Sequence, residues 1–225
     1  MAQPTNTFDT YDSVGEREDL SDVIYSISPT DTPFLSSAAK TKATAVLHEW
    51  QTDALAAAVT TNAVIEGDEA TLDATTATVR LSNSSQIMDK TVVITGTQES
   101  VDKAGRASEI AYQIAKKAKE LKRDMEATIT GNIAEVAGDA TTARKMGTLG
   151  AWVITNADKA GDGTTGTGLG NTARTDGTQR AFTESQLKSV IKSVWNAGGD
   201  PSMIMCGPFN KQIHQMLMDL FRELK

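Results

Sequence analysis

The sequence predicts a mixed α+β fold, on three observations. An apolar stripe at helical spacing runs through 107–130, a second well-capped helix begins after Thr183, and short alternating or β-branched runs occur at 46–50, 78–81 and 91–95. At 225 residues the chain is long enough for one large domain or two small ones with a buried core.

Residues 1–40 are polar and turn-rich, with one apolar patch at Leu20, Val23, Ile24 and Ile27 whose spacing fits one or two amphipathic turns. Pro29 and Pro33 in SPTDTPFL disfavour helix at the residues before them, so this stretch is expected to run extended over another surface. Val46–Trp50 and Thr78–Leu81 read as strands, and the run Thr91–Thr95 as a third. Between the first two lies an Ala- and Thr-rich span holding Asp53, Glu66, Asp68, Glu69 and Asp73, with no Lys or Arg before Arg80. The expectation is a long two-stranded excursion with an acidic tip. An isolated ribbon of this kind is marginal in water, so its strands should lie against something else, such as another copy of the chain.

Ile110, Ile114, Ala118, Leu121, Met125 and Ile129 recur at intervals of 4, 4, 3, 4 and 4, the signature of one long helix ending near Gly131. Its other faces carry Lys116, Lys117, Lys119, Lys122 and Arg123, which serve either as a solvated face or as a docking surface for an acidic partner. The glycine-rich stretch 156–180 has almost no apolar residues and is expected to be a flexible loop. Thr183 with Gln186 makes a capping box, and Phe182 with Leu187 a hydrophobic staple. Leu187, Val190, Ile191, Val194 and Trp195 then give the buried face of a helix that Gly198, Gly199 and Pro201 end. A short apolar strand, Met203–Cys206, and a last amphipathic helix through Ile213, Leu217, Leu220 and Leu224 complete the pattern.

Composition excludes several function classes. With 22 basic against 29 acidic residues, net −7, the chain is poorly suited to coating duplex nucleic acid. Cys206 is the single cysteine, so no intrachain disulfide forms, and it is expected to be a small buried apolar residue. No window approaches the roughly 18 apolar residues of a membrane span, and the start has neither the charge nor the apolar run of a signal peptide. GTGLG (166–170) lacks the dinucleotide-binding spacing, and no Gly-Lys-Ser/Thr occurs. Asp158, Asp162 and Gly163 imitate a calcium loop, yet Ala160 and Leu169 occupy ligand positions. His48 and His214 are the only imidazoles, and neither has a ligand-spaced partner; His48 is expected to be a strand residue. Glu66, Asp68 and Glu69 on a glycine-containing tip lack the rigid, desolvated setting of acid–base catalysis. Asn83-Ser84-Ser85 is a glycosylation sequon that matters only in a secreted chain. No catalytic, cofactor-binding or metal residue is therefore expected.

Six runs, in order, resemble one family: SPTDTPFL (28–35), HEWQTD (48–53), IMDKTVVITGTQESVDKAGR (87–106), ELKRDME (120–126), ARKMGTLGAWV (143–153) and NAGGDPSMIMCGPFNKQ (196–212). The chain is similar to the major capsid proteins of tailed bacteriophages with the Hong Kong 97-type fold. The resemblance implies an N-terminal arm at 1–40, an extended β-hairpin loop at 41–98, a peripheral domain with a long spine helix at 99–137, and an axial domain from 138 to 225. That axial domain is expected to be partial, because IHQMLMDLFRELK does not resemble the family's continuation.

The function so implied is that of a structural head protein, not an enzyme, self-assembling into the icosahedral shell that encloses phage DNA. Its expected partners are other copies of itself in hexamers and pentamers, then scaffold, portal or decoration proteins. Packaged DNA would be touched only by weak non-specific contact, and no membrane is involved. Assembly is expected in the bacterial cytoplasm. Glu66, Asp68 and Glu69 of one copy, with Lys116, Lys117 and Arg123 of another, are the expected inter-subunit contacts. Two other readings compete: a non-assembling truncated prophage remnant, and a head-maturation hydrolase using His48 or Cys206.

Overall fold

The computed structural model describes residues 24–26, 31–70 and 72–212. Seven elements follow in order: α1 (Pro33–Ser37), β1 (Leu47–Thr52), β2 (Val79–Ser84), α2 (Gly96–Ser100), α3 (Glu109–Ile129), α4 (Leu149–Trp152) and α5 (Glu184–Asn196). The mixture is α+β, as the sequence predicts. Most of the apolar patch near the start and the last amphipathic helix beyond Gln212 lie outside the described residues; Ile24 is described and exposed. The chain divides into two units, one holding Lys90–Leu121 and the other Asp31–Asp89 with the residues from Lys122 onward.

In the unit with Lys90–Leu121, Thr95 caps the short helix α2, its hydroxyl oxygen accepting the Gln98 N–H. The Lys103 ammonium then donates to the carbonyls of Gln98, Glu99 and Val101 at 3.1, 2.7 and 3.0 Å, closing the other end of α2. Glu99 faces forward: its carboxylate accepts the Glu109 and Ile110 amides that open α3. The Ser108 hydroxyl, followed by those two amides, holds the Glu99 carboxyl below its ordinary range. Thr91–Thr95 does not form the expected strand. Val92 and Ile94 line a depression of about 370 Å³ with Ile110 and Ile114 of α3, but no strand pairs with this run among the described residues. β-branched side chains favour extension, and a ladder still requires a neighbour. Ile110 and Ile114 accordingly remain 44% and 56% exposed, so the apolar stripe is only partly covered.

In the other unit, Leu47–Thr52 and Val79–Ser84 pair antiparallel, from Leu47 opposite Ser84 to Thr52 opposite Val79. His48 is a strand residue, as expected, opposite Asn83. Residues 31–37 correct the expectation of an extended arm. Pro33 occupies the first turn, where its fixed φ suits a helix and its missing N–H is not needed, and the Phe34 and Leu35 amides donate to the Glu126 carboxylate.

The region after α3 is held by a buried hydroxyl. Thr148, 1% exposed, donates to the Gly131 carbonyl at 2.8 Å and accepts the Ile133 N–H at 2.8 Å. The Gly150 amide donates to the same Gly131 carbonyl at 3.0 Å, and Val136 bridges to Lys145.

The glycine-rich stretch is not the loose loop expected. Thr164 bridges Thr175, the Asp162 carboxylate accepts the Thr178 amide and hydroxyl, and Arg180 pairs with Asp158. The Asn132 side chain is bonded both ways to the Arg174 backbone. Glycine allows this lacing: Gly170 adopts φ +73° and lies against the Trp152 indole, where a Cβ would sit 2.6 Å from a ring carbon.

α5 begins and ends as predicted. Thr183 and Gln186 form a reciprocal capping box, and Gly198 at φ +85° sets a Schellman end, with its amide on the Trp195 carbonyl and the Gly199 amide on that of Val194. Its apolar face is less covered than expected. Leu187 and Val190 line an open groove of about 560 Å³ with Phe182, Ile204 and Met205. Met203–Cys206 does not pair as a strand, and Cys206 is exposed on that groove instead of buried.

Candidate assembly surface

The feature that departs most from a self-sufficient domain is the excursion between β1 and β2. Its base is built by the six-pair ladder, and beyond Thr52 and Val79 no ladder continues among the described residues. The tip is a type II turn in which the Asp68 amide donates to the Ile65 carbonyl at 3.1 Å and Gly67 supplies φ +82° at the third position. Glu66, Asp68 and Glu69 are thereby brought together and exposed, and none of the three is ion-paired among the described residues. Along the arms, Leu55 and Leu72 are 100% and 99% exposed, with Val64 and Ile65 also open. Exposed apolar side chains beside main-chain groups outside any ladder are a general feature of surfaces that proteins use for association.

The expected basic counterpart lies on α3. Lys116, Lys119 and Arg123 fall at i, i+3 and i+7, hence on one helical face, and all three are exposed. Lys117 differs: it is half-buried and donates to Glu120 at 2.7 Å, an interaction that holds the Glu120 carboxyl below its ordinary value.

What the sequence does not reveal is the clamp at the root of the excursion. The Asn83 side chain donates to the Gly147 carbonyl at 3.0 Å and accepts the Gly147 amide at 2.8 Å. Next to it the Ser84 hydroxyl donates to the Glu135 carboxylate, and the Gln86 side chain accepts the Met146 amide. On the other strand Trp50 packs on Trp152 with ring centres 5.1 Å apart. The Trp152 indole N–H adds a second donor to the Gly147 carbonyl, at 3.2 Å. Asn83 carries no periodicity or motif beyond its accidental sequon, so only its partner 64 residues away defines its role.

No helix among the described residues is long and apolar enough to cross a membrane, and no group of three potential metal ligands occurs among them. The groove beside α5 has the Asp158–Arg180 pair among its lining residues, and no histidine among the described residues lines it beside Cys206.

The chain is similar to known capsid proteins. The chain is 30% identical to the major capsid protein of Escherichia phage Phieco32 over 251 aligned positions, which cover 97% of this chain and 71% of that protein. The family model described as SU10 major capsid protein matches residues 3–222. That match extends through 213–222, a stretch expected above to fall outside the resemblance, and a non-assembling remnant is not the favoured reading. With nearly its whole length matched in this way, the chain belongs to the SU10 major capsid protein family and is a structural capsid protein of the phage virion.

Proposed function

We propose that many copies of this chain close into an icosahedral shell of the Hong Kong 97 type around packaged DNA. Hexamers and pentamers are its building blocks, and the arm at 1–40, the loop at 41–98, the peripheral domain at 99–137 and the axial domain from 138 are its working parts. Each excursion lies across a neighbouring subunit, and the tip carboxylates Glu66, Asp68 and Glu69 meet Lys116, Lys117 and Arg123 of that neighbour. The observation that carries this reading is the excursion itself, with its fully exposed leucines and an acidic tip that has no ion-pair partner among the described residues.

Magnitudes decide how such a contact works. A single surface pair contributes about 0–1 kcal/mol, so charge alone gives register and orientation, and burial of Leu55, Val64, Ile65 and Leu72 gives most of the adhesion. Repetition over the lattice turns a weak contact into a stable shell. The subunit acts through interface geometry and carries no reaction. It assembles in the bacterial cytoplasm and touches DNA only by weak non-specific contact, with scaffold, portal or decoration proteins as further partners.

The test is a Glu66/Asp68/Glu69→Lys triple variant. Reduced shell yield and a changed response of assembly to salt are expected. Unchanged yield together with unchanged salt response would remove the pairing, and failure of the unaltered chain to form particles would remove the shell reading.

A further inference from the structure

We propose that Asn83, through its paired bonds to Gly147, aims the 53–78 excursion and so sets the curvature of the shell; this rests on the capsid reading above.

The excursion is laddered only at its base, from Leu47–Ser84 to Thr52–Val79, so the direction in which it leaves the unit is set where that base is held. Here the holding points are concentrated at one end. Asn83 engages both backbone groups of Gly147, a fork that fixes orientation as well as distance. Gly147 is buried and its backbone lies close against that of Gly170, where a Cβ would meet the Gly170 carbonyl oxygen at 2.6 Å. The Gly147 carbonyl also receives the Trp152 indole N–H, and the next residue, Thr148, is bonded through its hydroxyl to Gly131 and Ile133. The base of the excursion is therefore fastened to a segment that is itself bonded to Gly131, Ile133 and Trp152.

Lever length makes the fastening matter. Twelve residues separate Thr52 from the turn at Ile65, which is at most about 40 Å of extended chain. Where the excursion turns with its base, a tilt of roughly 10° at Asn83 moves the tip by up to about 7 Å, more than the separation between neighbouring strands. A tip displaced that far misses its site on the next subunit, or reaches it only if the two subunits meet at another angle.

The experiment uses the full chain with Cys206→Ser, carrying spin labels at Thr61→Cys and Ala140→Cys, both exposed positions. Distances are read by pulsed electron resonance on unassembled protein, and particle diameters by electron microscopy. Asn83→Ala is expected to broaden or shift the label distance by several ångströms and to give open sheets or a wider spread of diameters. Asn83→Asp, which keeps the acceptor for the Gly147 amide and loses the donor to its carbonyl, is expected to fall between. Ser82→Ala is the control on the same strand, and amide protection in α5 checks that the variants fold.

A label distance as narrow and as centred in Asn83→Ala as in the unaltered chain overturns the aiming role. So do shells of unchanged diameter and yield. If the unaltered chain forms no particles, the shell reading falls, and the label distances still decide whether Asn83 aims the arm.

Discussion

The Glu126 carboxylate accepts the Phe34 and Leu35 amides, each at 2.8 Å, one through each oxygen. A residue in the last turn of α3 thus caps the first turn of α1, 91 and 92 positions away in sequence. α1 is five residues long and has no side-chain cap of its own, so it should not persist without this carboxylate. Glu126→Ala is expected to cost about 1–2 kcal/mol locally and to raise amide exchange at Phe34 and Leu35 by at least tenfold. Unchanged exchange at both would show that α1 is held by something else.

Gly170→Ala should be among the most damaging single-methyl changes in the chain. The backbone is left-handed there, costing an L-residue about 1 kcal/mol, and the new methyl would meet the Trp152 ring at 2.6 Å. Overpacking adds roughly 1–3 kcal/mol. A fall of several degrees in Tm, with faster exchange of the Glu135 amide that donates to the Gly170 carbonyl, is the expected result.

Trp50 and Trp152 should couple energetically. Their tilted packing at 5.1 Å predicts an interaction of about 1 kcal/mol in a double-mutant cycle with Trp50→Leu and Trp152→Leu, measured by urea unfolding of unassembled protein. Strict additivity would mean that the ribbon is fastened by Asn83 without help from the aromatic pair.

Asp139 provides a pH signature. The Thr141 backbone amide, followed by the Thr141 hydroxyl and the Thr142 amide, lowers its carboxyl from 3.8 to about 2. The folded loop favours the ionised form, so its contribution is fully present above about pH 4 and is lost as pH falls through about 2. Carbon-detected NMR titration should give an Asp139 midpoint near 2, with Thr142 amide exchange rising over the same range. Asp139→Asn should abolish that rise, and a midpoint near 4 would contradict the bonding seen here.

Much of the local structure was legible because its causes are local. The six-position stripe gave α3 to within two residues, and Thr183, Gln186, Gly198 and Gly199 gave both ends of α5. The acidic excursion was legible because charge and turn chemistry lie next to each other in sequence. Thr91–Thr95 and Met203–Cys206 look like strands in sequence yet pair with nothing among the described residues, for a common reason: side-chain preference promotes extension, and pairing depends on a second segment that composition does not supply. Cys206 was misplaced because burial belongs to what packs around a thiol, and the groove beside α5 stays open.

By itself the sequence determined the mixed fold, the long basic helix, the acidic excursion and the resemblance to phage capsid proteins, since each is written in the spacing or order of nearby residues. Only the tertiary structure decided that Asn83 grips Gly147, that Glu126 caps α1 and that the glycine-rich stretch is laced against Trp152. Those contacts join residues far apart along the chain through one or two hydrogen bonds or a single missing methyl group, and such pairings leave no periodic trace for a sequence to show.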